Sequence, residues 1–407
     1  MTPVAVIGLG IGAARLDGPA AAAVEQAELL VGGTRQLAAF AAHPAEKLAI
    51  TAPLARVLDT LAAAAASGRR VAVLADGDPL YYGIGKALVE RLGATSLTFF
   101  PNITAVAAAA ARLARPWQDI PVVSLHGRSD TTPLFAALAR CGHAFVLTDA
   151  AHTPATIAQA VLDRAGDRFT LTILEDLGLP EERVRLRLSL AAGALCEASP
   201  LNLVLLEAAH APEVPLTLGL PDTALVRPDH VFTKLPVRAM ALAALAPRPG
   251  DVLYDIGAGV GTVALEASLL NDGGPVFAVE RDTVRHDRLR ENIRRTGALT
   301  VTPVLGQAPD ALDGLPDPDR VFVGGGLSER PEMLETLLSR LRPGGRLVAA
   351  TVLLGSTQEA RARLTRAGVS LSLIQIQASQ ALPLAGDLHW RADNPVSILT
   401  AVKEAVA

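Results

Sequence analysis

A glycine-rich turn between a short apolar stretch and a helical stretch most constrains how this 407-residue chain folds. Residues 252–261 read VLYDIGAGVG, so that a predicted strand ends near Asp255 and glycine recurs at every second position from Gly257 to Gly261. Glycine lets the backbone turn tightly and approach a ligand that a Cβ would exclude. The next predicted strand ends at Glu280, where a carboxylate can accept hydrogen bonds from both hydroxyls of a ribose. The order of strand, turn, helix, strand and acid predicts a nucleotide-like ligand at the carboxyl edge of a parallel sheet.

Two ligand classes fit such a turn. A dinucleotide turn reads G-x-G-x-x-G and places pyrophosphate at the helix N-terminus, whereas here the third glycine comes one residue early. Asp255 close to the ligand would repel a pyrophosphate but would suit a cationic sulfonium and its amino group. We therefore favour S-adenosylmethionine, with a dinucleotide and a purely structural glycine turn as the alternatives.

The second half of the chain is predicted to form a seven-stranded, Rossmann-like class I methyltransferase domain over residues 216–407. Short Val-, Ile- and Leu-rich stretches alternate there with segments of helical period, which is typical of α/β architecture. Five strand–helix units are followed by two late strands without a convincing helix between them. The strands are predicted at 252–256, 276–279, 301–305, 321–323, 346–351, 371–376 and 396–402.

The first half, residues 1–210, is also predicted to be α/β but of a different design. Its own glycine turn contains Gly8 and Gly10, yet the next strand runs into Gly32 and Gly33 without an acid for a ribose. A second turn reads LADGDPLYYG over residues 74–83 and supplies Asp76, Gly77 and Asp78 at the end of a buried strand, a position that often faces a ligand. The proline-rich segment 208–221 interrupts the pattern and marks the domain boundary.

Composition limits the partners. With 37 basic and 41 acidic residues the net charge is −4, which gives no reason to expect nucleic acid. No apolar run reaches about 18 residues and the glycine-broken start does not resemble a signal peptide, so we expect a cytoplasmic protein without a membrane span. The two cysteines, far apart, suit neither a disulfide framework nor a zinc knuckle, and no metal site is expected.

The second half resembles the decarboxylating precorrin methyltransferase domain of cobalamin biosynthesis. The resemblance runs from about residue 218 to the end and rests on Thr233-Lys234 with Arg238, DIGAGVG, Glu280-Arg281-Asp282, GQAP at 306–309, the Gly324–Gly325 pair and Asn394-Pro395-Val396. It implies that S-adenosylmethionine is held by Thr233, Gly257, Ala258, Gly259, Val260, Gly261, Glu280 and Ala308. Gln307 stands where the family usually has Asp.

The first half resembles the tetrapyrrole methylase (class III) family, a two-subdomain fold, and within it the precorrin C5-methylating branch. The motifs are the Gly-Asp-Pro turn, PNITA at 101–105, Pro116-Trp117 and VSLHGR at 123–128. The resemblance covers residues 1–207 and implies a second S-adenosylmethionine, held by Gly8, Gly10, Asp76, Gly77, Asp78 and Thr104.

Together the two resemblances imply a bifunctional methyltransferase and decarboxylase of corrin biosynthesis. It would convert precorrin-6B into precorrin-8 by methylating C5 and C15 and releasing CO2 from the C12 acetate. We expect substrate contacts at His126, Arg128, Arg227, Lys234, Arg238, Gly324 and Gly325, and a homo-oligomer. The sequence identifies no general base. A cobalt-containing substrate, a protein with one degenerate donor site, a nucleic-acid methyltransferase and an NAD-dependent enzyme are the alternatives.

Overall fold

The computed structural model describes residues 3–12, 16, 18–51, 53–228 and 232–404. It divides into two compact units that alternate along the chain. The first unit comprises residues 1–128, 144–158 and 171–206, and the second comprises residues 129–143, 159–170 and 207–407. The division into continuous domains of residues 1–210 and 216–407 stays a prediction.

The first sheet is built by parallel strands in the order β3-β2-β4-β1-β5. Successive residues of β4 pack into different apolar clusters, Val71 and Val73 on one side and Ala72 and Leu74 on the other, as expected for a parallel sheet covered on both faces. The elements up to this sheet's last strand are β1 (Val4–Gly8), α1 (Gly18–Glu25), β2 (Leu29–Gly32), α2 (Thr34–Ala38), β3 (Glu46–Ala49), α3 (Leu54–Ala66), β4 (Val71–Ala75), α4 (Gly85–Leu92) and β5 (Leu97–Phe100).

A second five-stranded sheet has the order β6-β7-β10-β8-β9. Two successive five-stranded sheets agree with the predicted two-subdomain first domain. The elements that follow β5 are α5 (Ala105–Arg112), β6 (Val122–Ser124), α6 (Thr132–Cys141), β7 (His143–Leu147), α7 (Pro154–Ala165), β8 (Phe169–Glu175), β9 (Arg183–Ser189), α8 (Leu190–Ala194) and β10 (Asn202–Ala208).

The third sheet confirms the predicted seven strands and runs β13-β12-β11-β14-β15-β19-β16. The first five are parallel, and β19 is antiparallel to both β15 and β16. Its elements are α9 (Leu235–Leu245), β11 (Leu253–Ile256), α10 (Thr262–Leu270), β12 (Val276–Glu280), α11 (Thr283–Thr296), β13 (Val301–Leu305), β14 (Arg320–Val323), α12 (Met333–Arg340), β15 (Arg346–Thr351), α13 (Leu354–Arg366), β16 (Ser370–Ile376) and β19 (Val396–Val402).

A separate hairpin interrupts the end of this domain and was not predicted. Strands β17 (Ser379–Leu384) and β18 (Asp387–Ala392) pair with each other between β16 and β19. The two late strands of the sheet, β16 and β19, are therefore connected through the β17–β18 hairpin.

Candidate functional sites

The second unit holds a cavity of about 600 Å³ at the carboxyl edge of its parallel strands. The glycine turn after β11 and the acid that ends β12 both line it. Nine residues singled out by the sequence surround this space, and they are Thr233, Lys234, Gly257, Ala258, Gly259, Glu280, Ala308, Gly324 and Gly325. The structure thus brings together most of the predicted second site.

The backbone of the glycine turn requires glycine. Gly257 has φ = +71°, and a Cβ there would lie 2.8 Å from the amide nitrogen of Gly325. At Gly261 φ is +91°, and a Cβ would lie 2.4 Å from Cδ1 of Leu289. Val260 and Gly261 are buried and do not line the cavity. In the structure they shape the glycine turn and do not reach the space predicted for the donor.

Glu280 is held in place by two backbone amides. Its Oε2 accepts a hydrogen bond from Gly259 N at 2.7 Å, and its Oε1 accepts one from Asp282 N at 2.9 Å. A carboxylate oxygen can accept two hydrogen bonds, so each oxygen keeps a free acceptor position. The carboxylate is buried at the cavity wall, which fits the two hydroxyls of a ribose.

Asp255 takes a different place from the one the sequence suggested. It is fully buried, does not line the cavity, and accepts a hydrogen bond at Oδ2 from Ala264 N at 2.9 Å in the first turn of α10. Gly261, which precedes that helix, provides no side-chain cap, so Asp255 satisfies one of the free helix amides from the neighbouring strand. Burial raises the pKa of Asp255 to about 7. The electrostatic argument that the sequence analysis drew from Asp255 for a cationic ligand is therefore not supported by its position.

The structure places the three predicted cationic contacts of this domain, Arg227, Lys234 and Arg238, in different surroundings. Lys234 lines the cavity and donates to Oδ1 of Asp393, another cavity residue. Arg227 lies with its guanidinium 4.5 Å from the centre of the Phe232 ring and does not line the cavity.

Arg238 is unavailable to a substrate carboxylate, contrary to the prediction. Its side chain is completely buried because α9 turns this position toward the protein interior. Its Nε donates to Glu266 at 2.7 Å and its Nη1 to Asp222 at 3.1 Å. Nη1 also donates to the carbonyl of Thr233 at 3.0 Å, so Arg238 supports the backbone of a cavity residue.

Sequence reasoning missed the arginines around the cavity. Arg281 and Arg330 both line it, and each is paired with a carboxylate: Arg281 with Glu329, and Arg330 with Asp310 at 2.9 Å. Arg281 directly follows Glu280, so its position beside the predicted acid was the available signal. The pairings join segments 48 and 20 residues apart, which local patterns do not reveal.

The first unit has its own cavity of about 350 Å³. The first glycine turn lies against the Gly-Asp-Pro turn there, since Gly77 N donates to Gly10 O at 2.9 Å. Five predicted donor-binding residues line this cavity, and they are Gly10, Asp76, Gly77, Asp78 and Thr104. Gly8 is buried and does not line it, and a Cβ at this position would lie 2.4 Å from Gly77 O.

The polar groups of this cavity are already engaged. Asp76 accepts hydrogen bonds from Arg35 at 2.5 Å and from Gln36 at 2.7 Å. Asp78 accepts one from Leu80 N at 2.8 Å, which fixes the turn. Thr104 caps α5 by accepting from Ala107 N at 3.1 Å. The remaining lining is largely apolar and suits an adenosine and a methyl group.

The predicted substrate contacts His126 and Arg128 are exposed and lie outside this cavity. His126 Nδ1 is 3.4 Å from the carbonyl of Thr148, and Gly127 N donates to Asp149 at 2.8 Å. Hydrogen bonds from the backbone of His152 and Gly127 lower the pKa of Asp149. The Asp149 carboxylate thus holds the short loop that carries His126 and Arg128.

Within the described ranges, no three His, Cys, Asp or Glu side chains are grouped as a metal site. No helix there is both long and apolar enough to cross a membrane.

Two family models match the chain, one in each half. The model for tetrapyrrole (corrin/porphyrin) methylases matches residues 3–192, and the model for a precorrin methyltransferase domain matches residues 224–403. The fold, the cavities and these matches define a methyltransferase whose co-substrate is S-adenosylmethionine.

Relatives of full length identify the family. A Sinorhizobium precorrin-6Y C(5,15)-methyltransferase [decarboxylating] is 35% identical over 400 residues, which cover 96% of this chain and 94% of that protein. The Mycobacterium tuberculosis protein of the same name is 32% identical over 398 residues, covering 96% and 98%. The chain belongs to the precorrin-6Y C5,15-methyltransferase (decarboxylating) family, which acts at a methylation and decarboxylation step of cobalamin biosynthesis.

Some relatives correspond to only half of the chain. A Salmonella typhimurium cobalt-precorrin-6B C(15)-methyltransferase (decarboxylating) is 32% identical over 185 residues, which cover 45% of this chain and 95% of that protein.

Proposed function

We propose that this chain converts precorrin-6B into precorrin-8, adding methyl groups at C5 and C15 and releasing the carboxyl group of the C12 acetate as CO2. The observation that carries the proposal is the pair of cavities, each bounded by a glycine turn and by acidic side chains that follow parallel strands. A reaction with two methyl transfers is well served by two such sites.

We assign C15 methylation and decarboxylation to residues 216–407. A relative half as long is named for C15 methylation and decarboxylation together, which supports placing the two activities in one domain. In the cavity of this domain Glu280 and the glycine turn would hold the donor. Lys234 lies on the same cavity wall and carries the charge that suits a substrate carboxylate.

Residues 1–210 would carry out C5 methylation with a second donor molecule. The match to tetrapyrrole methylases and the largely apolar cavity beside the Gly-Asp-Pro turn support this assignment. Each domain would then bind one S-adenosylmethionine, in its own cavity.

S-adenosylmethionine supplies an electrophilic methyl group on a sulfonium. The ring carbons of the substrate resemble enamine carbons, so the protein must align them in line with that methyl and exclude water, more than provide a strong base. In the decarboxylation the bond between the acetate methylene and its carboxylate breaks, and its electron pair enters the conjugated macrocycle. A proton then completes the methyl group at C12.

The full-length relatives favour a metal-free substrate, because their names specify precorrin and the cobalt-precorrin names belong to half-length proteins. We therefore propose precorrin-6B as the substrate and cobalt-precorrin-6B as the second candidate.

Mass spectrometry of the product tests the proposal in the intact chain. The wild-type protein with precorrin-6B and S-adenosylmethionine should give a product with two added methyl groups and one CO2 lost. Ala105→Trp, which fills the first cavity, should abolish the C5 methyl, and Glu280→Ala should impair C15 methylation and CO2 release. Leu195→Trp, at an exposed surface position, is the control for added bulk.

An unchanged mass with demonstrated donor binding would contradict the substrate, and the cobalt form would then be tested in the same assay. The predicted homo-oligomer is examined separately by sedimentation velocity, the cytoplasmic location by cell fractionation, and the expected lack of nucleic-acid binding by a filter-binding assay.

A further inference from the structure

The first unit contains an open cleft of about 530 Å³, called the aromatic cleft here, that is lined by three aromatic side chains and four others. Its seven lining residues are Tyr81, Tyr82, Pro116, Trp117, Gln118, Ile120 and Val122. The whole chain has three Tyr and two Trp, so this one cleft collects three of those five residues. None of the seven side chains carries a charge, and Gln118 is the one amide among them.

The aromatic cleft lies next to the donor cavity of the same unit. Tyr81 lines both spaces, and it lies three residues after Asp78 of the Gly-Asp-Pro turn. An acceptor carbon must be within reach of the transferred methyl group, so the substrate has to occupy a surface next to the donor. The aromatic cleft is such a surface.

The tyrosine rings are held by contacts within the protein itself. Tyr82 OH donates to the carbonyl of Val122 at 2.8 Å, and the Tyr81 and Tyr82 rings meet edge to face with centres 5.1 Å apart. Tyr82 also has φ = +54°, a left-handed conformation that is unfavourable for a bulky side chain. Strain of this kind persists where the surrounding structure imposes it, and it is frequent at ligand sites.

The large rings are nevertheless accessible. Tyr82 is 50% and Trp117 is 36% exposed, although burial of aromatic surface is favourable. A rigid, uncharged and exposed aromatic surface matches the flat faces of a large conjugated ring system, whose carboxylated edge would remain in solvent. Offset and edge-to-face contacts with such a ring add to the gain from burial.

We propose that Tyr82 and Trp117 form the platform on which the tetrapyrrole macrocycle stacks during methylation in the first domain. The inference rests on the proposed function and adds to it the residues that position the substrate. The two side chains are positioning residues, and neither needs to exchange a proton with the substrate.

The test measures the transfer of a methyl group to C5 of precorrin-6B, the step proposed for the first domain. The full chain carries Glu280→Ala, which weakens donor binding in the second cavity and so limits the competing methylation at C15. Adding Trp117→Ala or Tyr82→Ala should raise the KM for precorrin-6B by about tenfold each. The KM for S-adenosylmethionine should stay the same. Trp117→Phe should retain most of the affinity because it keeps an aromatic ring.

Trp390→Ala is the matched control, since this other tryptophan is 75% exposed on the hairpin of the second unit. It should leave the KM for precorrin-6B unchanged. Thermal unfolding of each variant, together with its KM for S-adenosylmethionine, identifies any loss that comes from misfolding. Tyr82→Phe, which removes only the hydrogen bond to Val122, provides a second and milder variant.

An active Glu280→Ala parent whose folded Ala variants keep the parental KM for precorrin-6B would overturn the platform and leave the proposed function intact. A change in sedimentation coefficient without a change in KM would also overturn it, and would assign the aromatic cleft to contact between copies of the chain. If the wild-type protein transfers no methyl group to precorrin-6B, the proposed function itself fails.

Discussion

Oε2 of Glu280 accepts a hydrogen bond from the amide of Gly259 at 2.7 Å, which ties the acid at the end of β12 to the glycine turn after β11. The two parts of the predicted nucleotide-binding pattern are thus directly bonded to each other. Because the carboxylate is already oriented, it does not have to be ordered when the donor binds.

Glu280→Ala should weaken S-adenosylmethionine binding in the second cavity by about 10- to 100-fold, because hydrogen bonds to a charged group are lost. Isothermal titration calorimetry should then resolve one weakened site and one unchanged site. Glu329→Ala is the control, since it removes an exposed carboxylate that pairs with Arg281 of the same cavity. Equal affinities in the Glu280 variant and the wild-type protein would exclude Glu280 as the ribose ligand.

Asp255→Asn should change how stability depends on pH. Burial raises the pKa of Asp255 from 3.8 to about 7, so between these values the folded protein holds a proton that the unfolded chain has lost. The Asp255 contribution to the free energy of unfolding therefore falls as pH rises through this window. The Asp255→Asn variant lacks this pH-dependent loss. Its free energy of unfolding should therefore rise relative to that of the wild-type protein by up to about 4 kcal/mol across this pH window.

Urea unfolding at about pH 5 and about pH 8 should show about 2.5 kcal/mol of that rise, because part of the window lies below pH 5. Asp59→Asn is the control, because Asp59 is exposed and pairs with Arg91 at the surface. A stability difference between the Asp255 variant and the wild-type protein that is the same at both pH values would refute the raised pKa.

The fold was largely predictable because parallel strands buried on both faces leave continuous apolar stretches in the sequence. Strands β13, β15 and β19 begin and end at the predicted residues. Strand β3 and the β17–β18 hairpin were missed since they are polar or exposed, and Pro383 lies within β17. Exposed pairs of this kind lack the apolar period on which strand prediction depends.

The parts of the site that short sequence motifs define were predictable. The parts that depend on side-chain orientation were not. Glycine spacing and the following acid located Gly257 and Glu280 at the cavity. The inward orientation of Arg238 depends on which face of α9 is buried, and the apolar residues of that helix do not mark one face clearly. Arg281 and Arg330 lie at the cavity through contacts between distant segments.

Arg238→Met should destabilise the protein by about 3–5 kcal/mol, because it leaves the buried carboxylate of Glu266 without its counter-ion. Glu266 also accepts hydrogen bonds from Gly219 N at 3.1 Å and Leu220 N at 2.9 Å, so the loss should loosen the segment that precedes α9. Chemical denaturation measures the change in the free energy of unfolding.

Arg91→Met is the matched control for this charge removal, since the Arg91–Asp59 pair is exposed and should contribute less than about 1 kcal/mol. A loss at Arg238 no larger than the loss at Arg91 would contradict the structural role of the buried pair.

Gly257→Ala should weaken donor binding in the second cavity and lower stability by about 1–2 kcal/mol. The added Cβ would lie 2.8 Å from the amide nitrogen of Gly325, and φ at this position is +71°, where an alanine is strained. To relieve this clash, the turn that contains Gly257 has to move away from the segment that contains Gly325. Differential scanning calorimetry and donor titration of the same preparation measure the two effects.

Gly355→Ala is the control because it makes the same substitution in α13, where a Cβ would contact nothing within 4 Å. An alanine in a helix is favoured over glycine by about 0.5–1 kcal/mol, so this variant should be as stable as the wild-type protein or more so. Its donor affinity should be unchanged. If Gly257→Ala also retained full stability and full donor affinity, the glycine turn would tolerate a side chain, and the close approach of Gly257 to Gly325 would not be needed to bind the donor.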